Sequence, residues 1–313
     1  MDTLSITGFA LLIMETLVGM VANGFIVLIG CIDWFRSKKL SPTDLILTCL
    51  GLARLAWLAV VILDVTTFSF FLHTYVLNHV YLMITMVWFF IYNVNITFAT
   101  WLSIFYFVKI TTFSHPLFLH AKQRFPALVP WLLLGSVAFS AFMAMTILAV
   151  SSSSLITCDF SKLFLNNSYG SDAEVLHKCW RLFIAVTVPN VIPSVLFLSF
   201  TVLLIVSLWK HIRHLQHDGI STMDLNTNVH LRAIKALVSF AVLYLSSFVG
   251  ISTEAILFFG NTDGSWTSAI FQTIIALYPS GHAVILIVIN PRLKQAWVKM
   301  IHHLKCGVNE APS

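Results

Sequence analysis

Long apolar stretches, each cut by a short polar or basic break, set the pattern of this chain. Windows without a charged residue run over 16–32, 65–108, 125–158, 182–209, 236–253 and 264–291. A helix rises 1.5 Å per residue and needs about 20 apolar residues to cross hydrocarbon. The 65–108 window is too long for one span; His73, Asn78 and His79 mark a loop within it and leave a helix at about 80–108. Residues 42–65 make a further span with Arg54 at its centre. The pattern predicts an all-α seven-transmembrane helix bundle, with helices at about 7–33, 42–66, 80–108, 126–150, 182–208, 231–258 and 266–289.

Composition points the same way. Of 313 residues, 58% are hydrophobic and 10% charged, whereas a soluble domain carries roughly a quarter charged residues. Mean hydropathy is +0.89. The net charge of +5 is spread between apolar runs, which suits a membrane surface and not nucleic acid. Placing the N-terminus outside puts segments 34–40, 109–124, 209–235 and 290–313 inside, with three, three, four and four Lys or Arg, fourteen of the eighteen in the chain. The positive-inside rule therefore predicts an outer N-terminus and a cytoplasmic C-terminus. MDTLSITGFA has neither a basic n-region nor a small-residue cleavage site, so the first apolar run reads as a retained span. The short tail after Asn290 leaves no room for a second domain, and residues 1–313 read as one. The five cysteines lack metal-ligand spacing, and no cofactor is expected.

Polar residues inside the spans carry the chemistry. Arg54 at mid-membrane is costly and should face the interior and find acceptors. Asn23 lies at similar depth, and Tyr278, Ser280 and His282 lie somewhat nearer the inner end. Two compatible readings stand: a polar latch whose rearrangement switches the bundle, and a structural clasp for helices one, two and seven. Glu15, two turns from Asn23, joins that network or snorkels to the outer boundary. In the outer half, Trp88, Tyr92 and Asn95 recur at helical spacing with Asn93 alongside. Ser247, Gly250, Ile251, Glu254 and Phe258 form a stripe on helix six; helix seven offers Gln272 and helix two ends with Asp64. Aromatic rings with sparse polar anchors suit a small-molecule pocket; residue by residue, interhelical hydrogen bonding and interfacial anchoring explain them too. In the second outer loop, Asn166 heads a glycosylation sequon, and Cys158 and Cys179 flank it and could pair in an oxidising lumen. No H-E-x-x-H pair occurs, and Ser280-Gly281-His282 is too short to read as a hydrolase motif, so no enzyme is expected.

Several segments, in order along the chain, resemble one family. FYFVKITTFSHPLFLHAKQR at 105–124, ANGFI at 22–26 and LSPTDLILTCLGLARLAW at 40–57 are similar to bitter taste receptors, the type 2 taste receptor family. LLIVSLWKHIRHLQHDG at 203–219, HLRAIKALVSFAVLY at 230–244 and YPSGHAVILIVINPRLKQ at 278–295 complete the set. The chain lacks Asp-Arg-Tyr after helix three and Cys-Trp-x-Pro on helix six, as that family does.

The resemblance implies a multi-pass plasma-membrane receptor for bitter small molecules. It would signal through a gustducin-type heterotrimeric G protein to phospholipase C and calcium release. It makes Trp88 the family's helix-three tryptophan; Tyr92, beside Asn93, stands where the family usually has asparagine. Gln272 aligns with a position that is glutamate in some members, and Asp64 with an asparagine near the top of helix two. An agonist is expected against Trp88, Tyr92, Ser247, Phe248 and Gln272. Asp64 and Glu254, if both face it, would favour cationic or donor ligands. Tyr106, Lys109, His115, Lys210, His211, Arg213 and His214 become the expected G-protein face, with membrane lipid around the bundle. Assembly into homo- or hetero-oligomers stays open. On the residues alone two further readings remain: a small secondary transporter with Arg54 and Glu15 as an ion relay, disfavoured by the lack of internal repeats, and a receptor of this architecture for a non-taste metabolite.

Overall fold

The computed structural model describes residues 3–71, 78–111, 116–151, 173–217, 223–259 and 265–309. They form eight helices: α1 (Thr3–Ser37), α2 (Pro42–Phe70), α3 (Asn78–Ile110), α4 (Pro116–Ser151), α5 (Ala173–His217), α6 (Met223–Phe259), α7 (Ser265–Ile289) and α8 (Pro291–Asn309). No strand occurs among the described residues. The first seven are each long and apolar enough to cross a membrane, through Ile6–Ser37, Pro42–Thr67, Leu82–Ile110, Lys122–Thr146, Asn190–Lys210, Ala233–Thr253 and Ile270–Ile289. The seven-helix bundle expected from hydropathy is the observed fold.

Local chemistry sets the helix ends. Lys38 adopts φ 56° and donates its N–H to the Trp34 carbonyl at 2.8 Å, and such a left-handed residue closes a helix. At the start of α2, Ser41 Oγ accepts from the Asp44 N–H at 3.2 Å. Pro42 fills the first turn, where its missing N–H costs nothing. Asn290 caps α8 likewise, accepting from the Arg292 N–H at 3.1 Å.

Several helices outrun their apolar windows. Asn78 and His79, expected in a loop, open α3. α4 starts at Pro116, ahead of the expected 126, and carries Pro126 and Pro130 inside. α5 covers Ala173–His217, past both ends of 182–208. Hydrocarbon thickness sets how long an apolar run must be, but helical hydrogen bonding continues into polar flanks. The periodicity of α8 went unread: Leu293, Ala296, Trp297 and Met300 pack back on the bundle, with Trp297 edge-on to Phe25 of α1 at 4.9 Å.

α3 packs against α2, α4 and α5, while α7 meets α1, α2 and α6. Small residues allow close approach: a Cβ on Gly19 of α1 would collide with Ser280 of α7, and one on Gly30 with Thr48 of α2. Outward faces are apolar on all seven spanning helices, as at Met14, Leu52, Met83, Trp131, Ile192, Val242 and Val288. That surface is matched to lipid.

Candidate ligand cavity and the polar network beside it

Helix α3 supplies an aromatic column. Trp88 and Tyr92, one turn apart, stack with centroids 5.1 Å apart and planes 15° from parallel. Trp88 also faces Trp57 of α2 at 6.1 Å. The indole Nε1 atoms of both tryptophans are buried without a hydrogen-bond partner among the described residues. Asn95 donates to the Ala53 carbonyl at 3.1 Å, which ties α3 to α2 beside Arg54.

A cavity lies where α2, α3, α6 and α7 meet, lined by Trp57, Tyr92, Asn95, Ile96, Tyr244, Ser247, Ile275, Tyr278 and Pro279. Its volume is about 20 Å³, room for about one water molecule. A drug-sized ligand needs roughly 300 Å³ or more. Pro279 lacks an N–H, so the Ile275 carbonyl loses its helical donor; Ser247 Oγ of α6 donates to it at 3.3 Å. Asn23 of α1 donates to the carbonyls of Pro279 at 3.2 Å and Gly19 at 2.8 Å. Both α1 and α6 thus hold α7 at its proline turn.

Of the expected ligand residues, Tyr92 and Ser247 line the cavity, and Trp88 backs Tyr92. Gln272 is buried one turn from Ile275, Asn93 is buried, and Phe248 and Asp64 are half-buried; none of these four lines the cavity. Asn93 Nδ2 donates within its own helix, to the Phe89 carbonyl at 3.0 Å.

The expected switch residues converge. Arg54 is 1% exposed, with its guanidinium carbon 5.2 Å from the Tyr278 ring centre. Tyr278 stacks on His282 at 5.6 Å, and His282 meets Phe240 edge-on at 3.8 Å. Tyr278 therefore lies level with Arg54, where counting along the helices set it slightly inward. Ser280 abuts Gly19, and Asn23 reaches Pro279.

Tyr244 escaped the sequence reading. It meets Tyr278 edge-on at 5.3 Å, contacts Phe197 at 4.4 Å and shares a hydrogen bond with Ser194 of α5 at 2.6 Å. Its spacing of three from Ser247 was the available signal. Trp57, three residues past Arg54, was readable in the same way.

At the basic end, Lys109, Lys210 and Arg213 are exposed, with Arg213 5.7 Å from the Trp209 ring. Tyr106 is half-buried against Phe105. Lys122 of α4 donates to the Thr111 carbonyl at 3.0 Å, fastening the end of α3. His115, Cys158 and Asn166 lie outside the described residues, as do the side chains of Cys179, His211, His214 and Glu254.

Seven spanning helices, four of which wall a small internal cavity, with polar groups turned inward, define a multi-pass helical membrane protein with a site in its core. The sequence profile of the taste receptor protein family (TAS2R) matches residues 1–305, and the chain belongs to that family. It is 34% identical over 305 residues to taste receptor type 2 member 7 of Macaca mulatta, covering 96% of this chain and 94% of that one. To taste receptor type 2 member 104 of Rattus norvegicus it is 36% identical over 295 residues, covering 93% and 94%. To taste receptor type 2 member 39 of Macaca mulatta it is 33% identical over 300 residues, covering 94% and 86%. The protein is a bitter taste receptor of the G-protein-coupled class and not an enzyme; it spans the plasma membrane several times and takes small-molecule ligands.

Proposed function

We propose that bitter agonists bind between α3, α6 and α7 and are reported through a gustducin-type G protein, phospholipase C and calcium release. One observation carries the coupling: the cavity that Tyr92 and Ser247 line is also walled by Tyr278 and Pro279, and Tyr278 lies over Arg54. A ligand that widens this space pushes on the residue in contact with the polar network. Because the cavity holds about one water, the agonist selects an expanded arrangement, and it shifts the balance only as far as it prefers that state.

Trp88 and Tyr92 then offer aromatic faces, with Asn93, Ser247, Phe248 and Gln272 around them. Where Asp64 and Glu254 both face the expanded site, they favour cationic or hydrogen-bond-donating agonists. The clustering of Lys and Arg at one end of the helices supports an outer N-terminus. That end, with Tyr106, Lys109, His115, Lys210, His211, Arg213 and His214, forms the G-protein face. Helices opening there admit the partner's terminal helix.

The test is intracellular calcium in cells carrying the receptor and a gustducin-type chimeric G protein, challenged with a diverse bitter panel. We expect a response that Trp88→Ala abolishes with surface staining retained. A response unchanged in Trp88→Ala places the agonist elsewhere. Silence across the panel at full surface expression counts against this coupling.

A further inference from the structure

We propose that the basic end of α1 and the neighbouring α8 form a docking surface for anionic phospholipid, with lysines set for the headgroup and apolar stripes for the acyl chains. The outward side of α1 is one such stripe. Met14, Val18, Val21, Leu28, Ile32 and Phe35 are all exposed and recur at helical spacing along a single face. Phe35, the last of them, is 71% exposed. One turn further on stands Lys38, with its Nζ 5.5 Å from the centre of the Phe35 ring. Lys38 holds the left-handed φ of 56°, a conformation that glycine adopts at less cost. The helix therefore ends on a cation where an uncharged residue would serve the turn. Lys39 follows it and is exposed too.

Helix α8 repeats the pairing of charge with apolar surface. It lies beside α1, with Trp297 against Phe25 and Arg292 against Asp33. Next to the face that packs on the bundle, Lys294, Val298 and Ile301 are spaced by four and three and are all exposed. An apolar stripe edged by lysine suits the boundary between acyl chains and headgroups. There a lysine stem lies along the chains while its ammonium reaches the phosphate. Charge selects an anionic lipid. Residues 33–44 and 291–309 hold seven Lys or Arg and two acids, Asp33 and Asp44, and Arg292 engages both acids. Among the described residues no ion pair engages Arg36, Lys38, Lys39, Lys294 or Lys299. A zwitterionic headgroup leaves that excess charge uncompensated, whereas an anionic one offsets it. The occupant is lipid because the α1 stripe continues the apolar belt of the bundle, and headgroups are what lies past its last aromatic ring. With the outer N-terminus proposed above, the leaflet is the cytoplasmic one.

The test is native mass spectrometry of the full-length receptor in detergent micelles, titrated with phosphatidylserine or with phosphatidylcholine of the same acyl chains. We expect phosphatidylserine to bind more tightly, on the order of tenfold. The preference should fall close to one in Lys38→Gln/Lys39→Gln/Lys294→Gln. It should persist in Lys109→Gln/Lys210→Gln/Lys235→Gln, which removes as many exposed charges from α3, α5 and α6. Equal binding of the two lipids overturns the proposal. An equal loss in the two triple variants overturns it too, since net charge and not this surface would then set the preference. Glycerophosphoserine, the headgroup without chains, should compete weakly; full competition at the concentration of the lipid overturns the part given to the apolar stripes. If the first triple variant does not fold, Lys294→Gln decides: a drop of roughly twofold in the preference supports the surface, and no change overturns it. The readout uses no agonist, G protein or membrane orientation, so its failure is distinct from that of the signalling assay.

Discussion

Ser247 of α6 donates its hydroxyl to the Ile275 carbonyl of α7 at 3.3 Å, and Ile275 is the residue whose carbonyl Pro279 strips of its helical donor. A defect in one helix is thus repaired by its neighbour. Removing the hydroxyl leaves the carbonyl unpaired in the core, so Ser247→Ala should destabilise the receptor by about 1 kcal/mol. Pro279→Ala restores the N–H that Ile275 lacks, and in that background the same serine substitution should cost close to nothing. A double-mutant cycle on purified protein, read as Tm, measures the coupling. Strictly additive effects would mean that Ser247 acts on the cavity and not on the proline turn.

Two glycines of α1 separate steric demand from helix propensity. A Cβ on Gly19 meets Ser280 of α7, whereas one on Gly24 meets nothing within 4 Å. Gly19→Ala should cost about 1–3 kcal/mol by pushing α1 from α7. Gly24→Ala should be neutral or slightly stabilising, since alanine is the better helix former. Equal Tm shifts in the two variants would show that the α1–α7 contact is looser than its geometry.

Arg292 at the start of α8 bridges Asp33 of α1 and Asp44 of α2, with the Asp44 contact at 2.9 Å. Its side chain is 47% exposed, so solvent screens the pair and Arg292→Gln should cost less than about 1 kcal/mol. In about 1 M salt, where the screening length falls to about 3 Å, the difference from the unaltered receptor should vanish. A large loss that persists at high salt would make α8 a load on the bundle through packing of Trp297 and not through charge.

Much of this protein could be read from the chain alone. Crossing hydrocarbon is a one-dimensional requirement, met or not met by about 20 consecutive residues, so hydropathy was enough for seven spans. That Arg54 is buried, with Asn23, Ser280 and His282 also buried, followed from the cost of charge in lipid. Helical spacing likewise put Trp88 and Tyr92 on one face, where they stack.

Tertiary structure alone decided which faces meet. Helical periodicity assigns a side chain to a face but not to a neighbour, because rotation and register depend on contacts between residues distant in sequence. The approach of Gly19 to Ser280 and of Gly30 to Thr48 sets those registers. It follows that Tyr278, not another α7 residue, lies over Arg54, that Trp57 and Tyr244 join the cavity wall, and that Ser247 finds the carbonyl freed by Pro279. The cavity's size was equally hidden, since it is the space left when four helices close and no single helix encodes it.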